Sequence, residues 1–256
     1  MGNWRIKSAI LLLIFNIIGI LAIIPYNMTL MSTQPTSGDI PTPIVIIINS
    51  TFQATYIFVM ILIGLRLQKR TGLDTPILNR IVYPNVHVHI SKKWLINGIV
   101  VTLIGSIIVT LLDLTLFSPL MESEIDQPPS PNWWQGLLAS IYGGITEETM
   151  VRLFGMTLVV WLLAWITKKE KDNIPKSFYY IAIFLTAILF GMGHLPAAAQ
   201  AFGELSAVVV IRTLVLNSLL GLWFGYLYWK RGLEYAVIAH ISADIFLHVI
   251  ITPLIS

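Results

Sequence analysis

The chain has no cysteine, which removes disulfides, a thiol nucleophile and a thiolate metal site together. Any metal would have to sit on His, Asp or Glu. Charge is scarce as well: Asp, Glu, Lys and Arg make up 11% of the 256 residues, where a soluble domain carries roughly a quarter. There is no ~10-residue alternation of the kind that marks outer-membrane barrel strands. There is also no internal repeat, low-complexity tract or second soluble domain. What fills the chain instead is apolar side chain, 56% of residues with a mean hydropathy of +0.79. Several uninterrupted runs reach the ~20 residues a membrane-spanning helix needs. The expected fold is all-α, a polytopic membrane bundle of seven transmembrane helices, or eight if one long run divides.

Taken in order, Arg5 and Lys7 precede an apolar run over roughly residues 8–25 with no small-x-small cleavage site beyond it, which reads as a retained first helix. Spans are expected near 44–66, 94–117, 133–166, 177–195, 205–229 and 233–251. The loops 26–43 and 118–132 contain no Lys or Arg and hold the acids Asp39, Glu122, Glu124 and Asp126, which suits the outer face. Of the 16 Lys and Arg, all but Arg152 and Arg212 fall in segments on the opposite side. The positive-inside rule then puts the N-terminus in the cytoplasm and the C-terminus outside a cell membrane. Basic residues clustered at span ends account for the net charge of +3, so nucleic acid is not an expected partner and the lipid bilayer is. No feature sets the oligomeric state. The run from Trp133 to Ile166 has 34 residues, about 51 Å as one helix against a ~30 Å hydrocarbon core. Gly143-Gly144 is its expected break, making 133–142 a short or re-entrant piece. Residues 1–132 are read as N-terminal helices and loops, and 133–256 as the functional core.

Glu147, Glu148 and Arg152 lie within that apolar run. Ionised groups at membrane depth cost at least ~2.5–3.5 kcal/mol each, so they must face protein or trapped water. On a helix Glu148 and Arg152 share a face, with the acid N-terminal as an ion pair prefers, while Glu147 points about 100° away. Two further pairs at a spacing of four follow inside spans, Phe190 with His194 and His240 with Asp244. Glu147 and His194 are nearly equidistant from the lysine loop, whereas His240 is close to its own turn at 231–232. The three sites meet only if the lysine hairpin projects beyond the membrane. Together such residues suit hydrolysis: a desolvated carboxylate takes a proton from water, one imidazole orients that water, and a second stabilises an oxyanion. Asp244 can orient the His240 ring or, protonated, bind a substrate carbonyl.

In order and spacing, Glu147-Glu148-x-x-x-Arg152, Phe190-x-x-x-His194 and His240-x-x-x-Asp244 resemble the three motifs of the CAAX-protease and bacteriocin-processing family (CPBP, or Abi) of intramembrane endopeptidases. The likeness spans residues 147–244. It implies Glu147 as general base, Glu148 and Arg152 as its scaffold, His194 as a second water or metal ligand, and His240 with Asp244 on the oxyanion side. A peptide or membrane-protein substrate is implied, such as a bacteriocin, leader or pheromone precursor or a CAAX-type protein. No cofactor is fixed, and zinc held by Glu147 and His194 is an alternative to metal-free water activation. Two other functions fit buried charge: a catalytically degenerate scaffold or immunity protein, and an ion or proton-coupled transporter, which would usually show repeats. Elsewhere, His248 is read as an interfacial residue, His87 and His89 as solvated, Asp113 and Arg212 as separate snorkelling side chains, and Gln53 and Asn217 as interhelical ties.

Overall fold

In hydrocarbon a backbone N–H or C=O has no water to bond, so each apolar run must close its own ladder, which a helix does within one segment. The computed structural model describes residues 3–31, 41–85, 87–121 and 131–255. Among these, seven helices are long and apolar enough to cross a membrane: α1 (Ile6–Leu30), α2 (Thr42–Thr71), α3 (Lys92–Met121), α4 (Trp133–Ile166), α5 (Lys176–Phe202), α6 (Ala207–Arg231) and α7 (Leu233–Leu254). The described residues contain no strand. The acids Asp39, Glu122, Glu124 and Asp126, expected in outer loops, lie outside the described residues.

Several helices run a few residues past their expected ends, and two departures bear on the site. Residues 133–166 form one uninterrupted span, so Gly143-Gly144 is not a break and no eighth crossing arises there. The glycines serve close approach instead: a Cβ at Gly143 would run into the Asp244 carboxylate, and one at Gly144 into the Ile241 side chain, both on α7. The second difference is α5, which continues past His194 to Phe202 where an outer loop was expected over 197–204. Pro196 does not end it because it falls in the first turn of the segment Leu195–Phe202, where a missing N–H costs nothing.

Interior and exterior are sorted by shape more than by polarity, as expected where the solvent is itself apolar. Leu153, Met156 and Val160 of α4 pack with Ile57 and Ile61 of α2 and with Phe224 and Leu227 of α6, all at most 1% exposed. Ile104, Ile107, Ile108 and Leu111 on α3 are each about half exposed, a lipid-facing stripe. Polar side chains tie the spans. Asn16 of α1 donates to Thr149 of α4 at 3.2 Å, Gln53 of α2 to the Tyr142 hydroxyl at 2.5 Å, and Gln68 to the Tyr228 hydroxyl, which also bonds Thr157. Asn217, expected to act likewise, bonds the Thr213 carbonyl of its own helix. Asp113 and Arg212 are not independent snorkelling groups: Arg212 Nε and Nη2 each donate to an Asp113 oxygen at 2.6 Å, linking α3 to α6.

The α6–α7 turn is pinned by the basic segment after α2. Gly232 has φ 109°, and a side chain there would strike Pro76. The Leu233 N–H donates to the Asp74 carbonyl at 3.1 Å, and Glu234 accepts from the Leu78 N–H at 2.7 Å, in the short helix Pro76–Val82. This clamp fixes the start of α7, and with it the depth of His240 two turns further on.

Candidate active site

Around the two glutamates α4 leaves ordinary α geometry, widening to π turns over Tyr142–Glu147 and Thr149–Met156. Such bulges recur at functional sites because they re-aim side chains without breaking the helix. Here they turn the two carboxylates to different environments. Glu148 is fully buried and its Oε1 lies 3.1 Å from Arg152 Nη1, also fully buried. Arg152 Nη2 donates to the Gly221 carbonyl of α6 at 2.8 Å, and the guanidinium lies over the Phe190 and Phe224 rings at 4.9 and 5.7 Å. Glu147, by contrast, keeps 20% of its side chain accessible.

His240 connects the two. Its Nδ1 is 2.9 Å from Glu148 Oε1, and since a carboxylate only accepts, Nδ1 carries the proton. On the other side of the ring, Nε2 is 3.7 Å from Glu147 and 3.6 Å from Asp244. The ring stacks on Phe224, centroids 4.6 Å apart at 17°. Glu148 therefore does what the sequence reading offered to Asp244, orienting the imidazole, while Asp244 sits beyond hydrogen-bond length over the space that Gly143 leaves empty.

His194 reaches the site through an irregularity within α5. Its own N–H turns back to the Gly191 carbonyl at 3.2 Å, three residues earlier, so the Phe190 carbonyl loses its regular partner. The His194 side chain takes that place, with Nδ1 2.8 Å from the Phe190 oxygen. A carbonyl only accepts, so Nδ1 donates and a neutral ring presents Nε2 as an acceptor. The imidazoles of His194 and His240 lie on the Phe190 ring, 4.7 and 5.4 Å from its centre, both edge-on.

All six candidate residues thus belong to one neighbourhood, five through direct contacts and His194 through Phe190. A family model described as Type II CAAX prenyl endopeptidase Rce1-like matches residues 129–246. Over that segment the chain is similar to Rce1-like domains, a likeness consistent with the CPBP family. No curated protein and no solved structure matches the chain. The Rce1-like domain supports intramembrane endopeptidase function in general terms. It begins just before α4 and closes two residues past Asp244, so it contains the whole constellation.

Zinc can be tested on the donors themselves. Among the described residues no group of three or more His, Asp or Glu is arranged to hold a metal ion. Glu148 and one nitrogen of each histidine are already engaged in hydrogen bonds. The residues do not form a metal centre in this arrangement.

Sequence reasoning missed Phe224 and the Gly221 carbonyl, both on α6, which carries no motif. A signal was present: Gly221 and Gly225 are four apart in an apolar span, the small-residue spacing that marks a close-packed helix face.

Proposed function

We propose that the chain is an intramembrane endopeptidase in which Glu147 activates a water molecule against a peptide bond. The carrying observation is the split between the glutamates: Glu148 is fully buried against Arg152, while its neighbour Glu147 keeps 20% of its side chain accessible. Glu147 takes a proton from water, and the hydroxide oxygen bonds to the scissile carbonyl carbon as the carbonyl electron pair moves to oxygen. His194 Nε2 accepts a hydrogen bond from the O–H that the water keeps and so aims the attack. With Nδ1–H donated to Glu148, a second proton on His240 Nε2 faces the developing oxyanion, a charge that pre-aimed donors stabilise strongly in a dry site. Collapse breaks the C–N bond, and the amine leaves with the proton held by Glu147. Glu148 and Arg152 act as positioning residues, holding the His240 ring, and Asp244, in its protonated form, donates to the substrate carbonyl oxygen.

The substrate in this reading is a peptide or membrane protein, with CAAX-type processing following from the family's description. The protein is read in the cell membrane with its lysine-rich end in the cytoplasm. The test is Glu147→Gln, which keeps shape and much of the hydrogen bonding but takes no proton from water. Cleavage, followed by gel detection of a processed peptide, should fall by at least ~10²-fold with normal accumulation of protein. Full cleavage by the accumulating variant overturns the mechanism. Chelator should leave the native rate unchanged, and a chelator-dependent loss would reassign Glu147 and His194 as metal ligands.

A further inference from the structure

At the lysine-rich end of the bundle lies a second constellation that proteolysis does not use. A cavity of about 800 Å³ opens between the end of α2 and the loop after α4. Its size falls within the ~300–1,000 Å³ typical of small-molecule sites. Its wall carries Lys69 and Arg70 of α2 and Lys168, Lys169 and Lys171 of the loop, against the single carboxylate of Glu170. Cations at helix C-termini are favoured by the helix dipole, which accounts for Lys69 and Arg70 taken alone.

It does not account for Lys168. The α4 helix closes with the Lys169 N–H on the Ala164 carbonyl at 2.8 Å and the Lys168 N–H on that of Trp165 at 3.2 Å, the Schellman arrangement. Its left-handed position normally falls to glycine, yet Lys168 occupies it at φ 53°, the one non-glycine residue with positive φ among those described. A backbone held against its preference points to a use for the side chain it carries, and that side chain lines the cavity. Lys171 is seated there too, its Cε reaching the space beside Gly72 at the end of α2. Arg70, Lys168, Lys169 and Lys171 round one hollow make it a favourable seat for an anion.

The rim says which anion. Trp161 and Trp165 stack at 6.0 Å along the cavity wall. Trp165 and Ile166 are 65% and 67% exposed, large apolar surface beside the cations at the end of a span. Tryptophan at that level marks the lipid headgroup zone, and basic pockets between spans take anionic headgroups. A soluble phosphate would need the cations but not the apolar rim. We propose that this cavity binds the phosphate headgroup of an anionic phospholipid in the leaflet at the lysine-rich face.

The experiment uses the full chain in nanodiscs of phosphatidylcholine with or without phosphatidylglycerol, reading the thermal unfolding midpoint. The native protein should gain several degrees from phosphatidylglycerol, since a ligand that binds only the folded state stabilises it. The variant Lys168→Gly/Arg70→Gln should lose most of that gain while its midpoint in phosphatidylcholine holds or rises, because glycine suits the left-handed turn. Lys92→Gln/Lys93→Gln removes two cations from α3 outside the cavity and should keep the gain. A gain that survives Lys168→Gly/Arg70→Gln, or is lost equally in both double variants, overturns the site. An equal rise with inorganic phosphate in phosphatidylcholine alone overturns the lipid as occupant.

Discussion

Two acid–arginine pairs lie within the spans, and they are built to opposite plans. Asp113 and Arg212 join two helices by paired 2.6 Å hydrogen bonds and keep 22% and 24% of their side chains accessible. Glu148 and Arg152 sit one turn apart on one helix, fully buried, at 3.1 Å in a less well-aligned contact that leaves Glu148 Oε2 and Arg152 Nε without hydrogen-bond partners. The better-made pair is the peripheral one. A buried pair need not repay its desolvation, so imperfect satisfaction at Glu148 suggests that its position answers to something besides stability. That something is at hand, since the same Glu148 oxygen that meets Arg152 also holds His240. The outer pair ties helices; the inner pair aims an imidazole.

The sharpest way to break this comparison is at Arg152. Arg152→Ala leaves Glu148 as an uncompensated charge in a fully buried position and removes the tie to the Gly221 carbonyl of α6, so stability should fall by ~3–5 kcal/mol. Cleavage should be lost with it, because Glu148 is no longer fixed against His240. The measurement is the midpoint of thermal unfolding together with the yield of folded protein. A well-expressed variant with an unshifted midpoint would mean that the pair is not what holds this part of α4.

Gly143→Ala separates aim from stability. The added methyl would overlap the Asp244 carboxylate and approach His240 Nε2 within 3.2 Å, so the polar face of α7 must shift. Displacements near 1 Å can cost ~10²-fold in rate. Alanine is meanwhile the better helix former by about 1 kcal/mol, which offsets much of the strain. The expected result is cleavage down roughly 10–100-fold with an unfolding midpoint close to that of the native protein. Native-like cleavage would show that Asp244 and His240 tolerate displacement, and that their distances to Glu147 do not govern the reaction.

Gly143 also shows where the sequence was silent. The spans were legible because length and hydropathy act locally, and Glu147, Glu148 and Arg152 because charge in an apolar run is conspicuous whatever surrounds it. A Gly-Gly pair in an apolar run reads equally as a break or as a site of close approach, and only α7 passing over it decides. Residue counting placed His240 too shallow to meet Glu147 without a projecting hairpin, since it presumes straight, parallel spans, whereas α4 is long and carries π turns. The engagement of Phe190 by His194 depends on a carbonyl released at a helix irregularity, whereas the Gly-His-Leu-Pro sequence by itself predicts a helix end. Asp113 and Arg212 are 99 positions apart, a pairing that no local pattern carries.

That outer pair supplies the smallest effect and the counterpart to Arg152. With both side chains about a quarter accessible, part of the attraction is screened, and water or headgroups can solvate whichever partner is left. The geometry is nevertheless bidentate, the form in which carboxylate and guanidinium gain most from each other. Arg212→Ala should therefore cost only ~1–2 kcal/mol, and Asp113→Asn about the same or less. The double variant should lose less than the sum of the two, because each single change already removes the shared contact. Cleavage should stay within about twofold of native in all three, since neither residue touches His240, Glu147 or Glu148. The double-mutant cycle is read in thermal midpoints and the cleavage assay is run beside it. If Arg212→Ala abolished cleavage at an unchanged midpoint, the outer pair would belong to the working site and the division drawn between the two pairs would be wrong.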